Sequence, residues 1–112
     1  MKLSNRFSDE NKIRIWSGHQ FCQNCGSNQG CSLHHIRGTV SGSILNSIML
    51  CNRCHKIADS KNIGNNNETI AFQQRYIDIT SEIIKEEYYT LAKKDFLFIT
   101  NCKEKGIVIQ LE

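Results

Sequence analysis

Two short knuckles, Cys22-Gln-Asn-Cys25-Gly26 and Cys51-Asn-Arg-Cys54-His55, bracket the stretch Ser32-Leu-His34-His35-Ile36-Arg37 that runs on to Asn46 and Leu50, and this arrangement decides the fold. Two residues separate the cysteines of each pair, the gap that lets one backbone turn aim both sulfurs at a single ion. Four thiolates complete a tetrahedral zinc shell with no open position, so Cys22, Cys25, Cys51 and Cys54 are expected to form a structural site. Buried free thiols or a redox-active pair are the alternatives. Cys31 and Cys102 fall outside this scheme. Cys31 could substitute as a ligand, and both otherwise read as free cysteines packed as small apolar residues. Since 25 residues lie between the pairs, a shared ion would tie the turn before the bracketed stretch to the helix after it. His34, His35 and Asn46 would then sit on one rigid base, with His55 just past the last ligand.

Working outward, residues 32–50 carry β-branched and apolar residues around a flexible centre, residues 38–43, and predict a β-hairpin with a long loop. Ser8 followed by Asp9 and Glu10 is a good helix start, because the hydroxyl can cap free amides and the carboxylates suit the positive helix end. Ile13, Ile15 and Trp16 then predict a helix over 8–17, ending near Gly18. After the second knuckle, residues 56–61 continue as a helix. Residues 62–67, with one Gly and four Asn, read as a linker. Beyond it the pattern predicts helices over 68–78 and 81–94, the second presenting Ile84, Tyr88 and Leu91 on one face. Residues 96–99 and 107–111, separated by Asn, Lys and Gly, suggest a terminal hairpin.

A chain of 112 residues is one domain's worth and buries only a modest core, so a metal staple is a reasonable fastening. The polar start MKLSNRFSDENK lacks the apolar run of a signal peptide. Reduced thiols in a cytoplasm therefore fit better than a secreted disulfide scaffold. No apolar stretch approaches the length of a membrane span, so a soluble protein is expected. The net charge of +3 is unevenly placed: residues 1–61 carry eight Lys and Arg against three Asp and Glu, whereas residues 62–112 carry six against eight. The basic half also holds all four histidines and five of the six cysteines. Charge that attracts a polyanion thus coincides with the metal-ligand residues, as a phosphate-backbone substrate would require, although so small an excess is also ordinary for a surface.

Taken in order, Cys22-x-x-Cys25, Leu33-His34-His35-Ile36, Asn46 and Leu50-Cys51-x-x-Cys54-His55 resemble the HNH endonuclease family in its zinc-knuckle form, over about residues 16 to 59. The resemblance implies an α+β fold: a small ββα-metal nuclease core with a four-cysteine structural zinc site, an N-terminal helix and a C-terminal helical extension. The core would span 1–61 and the extension 62–112, packed on the same domain. The resemblance further implies that His35 is the general base, His34 and His55 are ligands of a catalytic ion, and Asn46 steadies the hairpin and the base. The implied reaction is hydrolysis of DNA phosphodiester bonds, leaving a 5′-phosphate and a 3′-hydroxyl. This sequence has His34 where many HNH proteins have Asp, a departure shared with the histidine-pair branch. Imidazole in place of carboxylate favours Mn, Ni or Zn relative to Mg.

Elementary chemistry supports the same roles. Phosphodiester hydrolysis needs a deprotonated water and neutralisation of charge on the phosphorane and the leaving oxygen. An imidazole titrating near neutrality can take the proton. Neighbours on a strand point to opposite faces, so His34 and His35 divide the work, one binding and one reacting, provided the hairpin is twisted or bulged there. The Asn46 amide can bond a backbone carbonyl across the hairpin and fix His35. Asp59, four residues after His55, falls on the same helical face and is either a third ligand or a solvated carboxylate. Arg37, Arg53, Lys56 and Lys61 are candidate contacts to flanking phosphates, though each alone is an ordinary surface cation. With no obvious recognition helix, weak sequence preference is expected, and duplex, branched and single-stranded DNA all stay open. The rival functions are a non-catalytic zinc-bound nucleic-acid-binding module and a zinc-ribbon interaction adaptor. Abundant Ile, Asn and Lys with no Pro suggest a bacterial or phage-infected host cell as the setting.

Overall fold

A computed structural model describes residues 6–62 and 66–111. Helix α1, Asp9–Trp16, starts where the Ser8 hydroxyl accepts the Asn11 amide, and it ends against the core. It buries Ile15 and Trp16, and the indole donates to Ser47 Oγ at 2.8 Å. Ile13, one of the residues that suggested this helix, is exposed, and the stripe that meets the core runs through 15 and 16.

Strand β1, Ser32–His35, pairs antiparallel with β2, Ser47–Leu50, placing His34 opposite Ile48 and His35 opposite Ser47. The connection between them is not loose. Short 3-10 turns at Gly38–Val40 and Ile44–Asn46 give it shape, and buried Asn46 ties it together. Its Oδ1 accepts the Arg37 amide at 2.8 Å, while Nδ2 donates to the carbonyls of Gly38 and Ser41. The flexible centre expected over 38–43 is thus held by the Asn46 amide and by Ser43, whose hydroxyl donates to Asp95.

Helix α2, Asn52–Lys61, begins earlier than residues 56–61 suggested, because the Cys51 sulfur itself caps it by accepting the Cys54 amide. Of the linker expected over 62–67, residues 63–65 lie outside the described residues, Asn66 is the N-cap of the next helix and Asn67 its first residue. That helix, α3, is Asn67–Glu86 and replaces the two expected helices with one of 20 residues. The polar pair Thr80-Ser81 is no break: Thr80 is buried and donates to the Ser47 carbonyl at 2.6 Å, so α3 crosses β2 there. The helix then stops at Glu86, with Tyr88 in the left-handed region at φ 52° and the Tyr89 amide returning to the Ile84 carbonyl.

Helix α4, Lys93–Glu104, overturns the terminal hairpin. Residues 96–99 lie inside it, with Phe98 buried. Buried Asp95 caps its start, accepting from the Ala92 amide at 2.7 Å, Tyr89 at 2.9 Å and Ser43 at 2.5 Å. Residues 107–111 form no strand, and a side chain bonds their backbone: Gln74 accepts the Val108 amide at 2.8 Å and donates to its carbonyl at 2.7 Å. Trp16, Ile36, Ile48, Leu50, Ile77, Ile84, Phe98 and Ile107 join one core, so the C-terminal helices share the interior of the hairpin. The architecture is α+β, and among the described residues no helix is long and apolar enough to cross a membrane.

Candidate metal centre

The turn Cys22–Cys25 and the start of α2 bring four sulfurs together, every pair within 4.8 Å. Cys25 Sγ and Cys51 Sγ are 3.6 Å apart, and sulfurs around a tetrahedral zinc with bonds of about 2.3 Å lie about 3.8 Å from one another. Within each knuckle the amide three residues on points at the first sulfur, Cys25 to Cys22 and Cys54 to Cys51. Burial opposes ionisation of Cys22, but the amides of Cys51, Cys25 and Asn24 together outweigh it and lower the thiol to about 6. At Cys54 the Asn24 amide favours the thiolate, yet burial and the three neighbouring sulfurs push it up to about 12. Four thiolates cannot share this space without a cation, and a divalent ion removes that repulsion. The cluster therefore fits a structural zinc.

Two neighbours outside the cysteine pairs support the cluster. Arg75 on α3 donates to Asn24 Oδ1 at 3.1 Å, and the Asn24 amide donates to Cys54 Sγ at 3.4 Å. Nothing in the sequence pattern singles out either residue. Cys31 stays out of the tetrad, its thiol donating to the Ser27 carbonyl, and burial followed by the nearby cysteines raises it. Cys102 is buried in the core, and burial pushes its thiol to about 11.

The second group forms where β1 faces α2. His34, His55 and Asp59 present ligand atoms within 4.8 Å of one another. Asp59 spans the pair, with Oδ1 at 3.4 Å from His34 Nδ1 and Oδ2 at 3.8 Å from His55 Nε2. The two rings meet edge to face at 76°, with centroids 4.9 Å apart. The i, i+4 spacing on α2 carries His55 and Asp59 to the same side. Burial, with the charge of His55 next, lowers His34 to about 4, although Asp59 opposes the shift. His34 is thus a neutral imidazole at ordinary pH, the form that binds metal. One carboxylate and two imidazoles are a donor set that can hold a divalent ion.

His35 turns to the other face of the hairpin and stacks on Phe7, with centroids 4.1 Å apart and planes 18° off parallel. It remains near enough to His34 to oppose that ring's protonation. Asn46 bonds the loop backbone at Arg37, Gly38 and Ser41. Arg53 and Lys56 are exposed on α2, and Lys61, also exposed, pairs with Glu68 at 3.2 Å. Arg37 departs from the expectation of a surface cation. It is buried, with Nε on Gln73 at 3.3 Å and Nη1 on Asn101, because the chain turns inward after Ile36 and carries the guanidinium under α3 and α4. Ser32, which no sequence motif singles out, lies 3.0 Å from His55 Nδ1. Its position two before His34 on a strand was the available signal.

The fold and site define a small α+β protein with a two-stranded hairpin, a four-cysteine cluster and a His/His/Asp group. No family model, curated protein or solved structure matches the chain.

Proposed function

We propose that this chain is a metal-dependent endonuclease of the HNH type that hydrolyses phosphodiester bonds in DNA with weak sequence specificity. The observation that carries the reading is the convergence of His34, His55 and Asp59 on one point, with His35 on the adjoining strand position. A divalent ion there would supply charge neutralisation for the scissile phosphate and the leaving oxygen.

The remaining work falls to the chain. His34, His55 and Asp59 hold the ion, and the low pKa of His34 keeps protons from competing for it down to mildly acid pH. His35, the last residue of β1, accepts the proton of the attacking water at its ring nitrogen. Asn46 keeps the loop that follows His35 in one conformation by closing three backbone hydrogen bonds. Arg53 and Lys56, exposed on α2, can bind neighbouring phosphates. Asp59 is here a third ligand, because both of its oxygens turn toward the imidazoles.

The second reading, a non-catalytic zinc-bound nucleic-acid-binding module, draws on the Phe7 ring that lies against His35. A cleavage assay separates the two. Purified protein is incubated with plasmid, single-stranded and branched DNA, with Mn, Mg, Ni or Zn added in turn. Cleavage with at least one ion, lost in His35→Ala, is the expected result. DNA binding without cleavage under every ion would favour the binding module.

A further inference from the structure

Ser32 opens β1 two residues before His34, so strand alternation turns both side chains toward α2. Its Oγ lies 3.0 Å from Nδ1 of His55, whereas Nε2 of the same ring faces Asp59. The serine therefore engages the ring nitrogen that is turned away from the His34–Asp59 group. A neutral imidazole carries one N–H, and the nitrogen that holds it cannot bind an ion. A hydrogen bond at one nitrogen thus decides which nitrogen is left to coordinate.

We propose that Ser32 is a positioning residue that makes Nε2 of His55 the ion-binding nitrogen. Its Oγ accepts Nδ1–H, and its own hydroxyl proton turns to solvent on the exposed end of the strand.

The spacing is built into the zinc-cluster end of the fold. The Asn52 amide donates to the Gln29 carbonyl at 3.2 Å, docking the turn before β1 on the first residue of α2. Gly30, at φ +60°, lets the chain pass against the Asn52 side chain where a Cβ would collide. Ser32 on β1 and His55 on α2 therefore approach where the turn before β1 docks on α2.

This proposal rests on the ion site described above, and the test separates the two. The His55 tautomer of zinc-loaded protein is read from long-range proton–nitrogen correlations of the ring, and the same protein is then titrated with Co(II) and followed by visible absorption. Ser32→Ala is expected to weaken Co(II) binding about 10- to 100-fold and to reduce the Nδ1–H tautomer seen before Co(II) is added. Ser32→Val should behave the same way, and Ser32→Thr, its isostere with a hydroxyl, should restore both readouts. Zinc content and circular dichroism confirm that the variants fold. If the parent and His34→Ala take up Co(II) alike, the His34–His55–Asp59 site is wrong and the serine role falls with it. If the parent binds there but the alanine and valine variants bind as tightly with the same tautomer, the site stands and the role of Ser32 is overturned.

Discussion

His34 concentrates the residue-scale physics of this protein. Its burial against α2 lowers its pKa to about 4, below the value of about 6.5 expected for an unfolded chain. The folded state therefore binds fewer protons than the unfolded state between those limits. Without a bound ion, stability is unaffected above pH about 6.5, falls as pH drops toward about 4 and levels off below, a loss of about 3 kcal/mol from this group. His34→Asn should remove that component, so urea melts of parent and variant across pH 7 to 4 should converge at the acid end. A constant gap would count against the assignment. At this scale the histidines and cysteines were legible as ligand types at ligand spacings. Ser32, Asn24 and Arg75 were not, since a common polar side chain acquires meaning only from the atom it touches. Arg37 shows the converse, because a cation beside two histidines looks external until the chain direction is known.

At the scale of elements, capping signals were reliable and interruptions were not. Ser8 started α1 as its hydroxyl suggested, and the hairpin ran between the knuckles as the β-branched and apolar residues over 32–50 suggested. The break expected between helices over 68–78 and 81–94 does not form, because the Thr80 hydroxyl is satisfied by the β2 backbone and α3 continues. Residues 96–99 and 107–111 have strand-like composition, yet Asp95 caps a helix through the first and Gln74 takes the place of a strand neighbour for the second. The end of α3 carries a testable strain. Tyr88 holds φ 52° while its side chain is 88% exposed, so it bears the cost of the left-handed region with little packing in return. Tyr88→Gly should stabilise the protein by about 1 kcal/mol in equilibrium denaturation.

For the molecule as a whole, the cysteine cluster and the shared core act together. Trp16, the single tryptophan, is buried and bonded to Ser47 on β2, so its fluorescence reports on the packing of α1 against the hairpin. Chelation of zinc should expose the indole and lose the hairpin and α2 together, because four uncompensated sulfurs would separate. Cys51→Ser should produce the same red shift without chelator. His34→Ala should leave one tightly held zinc per chain, since the two groups share no ligand. Binding to DNA, on the proposed function, should weaken with salt. Replacing Arg53 and Lys56 by Ala should flatten the slope of log affinity against log salt by about 2 for a duplex. An unchanged slope would remove α2 from the phosphate contacts.

The sequence by itself determined which atoms could meet a metal, because thiolates, imidazoles and carboxylates are set by residue type and each knuckle by its own short spacing. It also determined that a hairpin lies between two cysteine turns with helices outside them. Only the tertiary structure decided that Asp59 joins His34 and His55, that His35 faces Phe7, that Arg37 is buried and that α3 runs unbroken. Those outcomes depend on how α2, α3 and α4 lie across the hairpin. That placement is fixed by burial of apolar surface and by hydrogen bonds between residues far apart in the chain, which local periodicity does not encode.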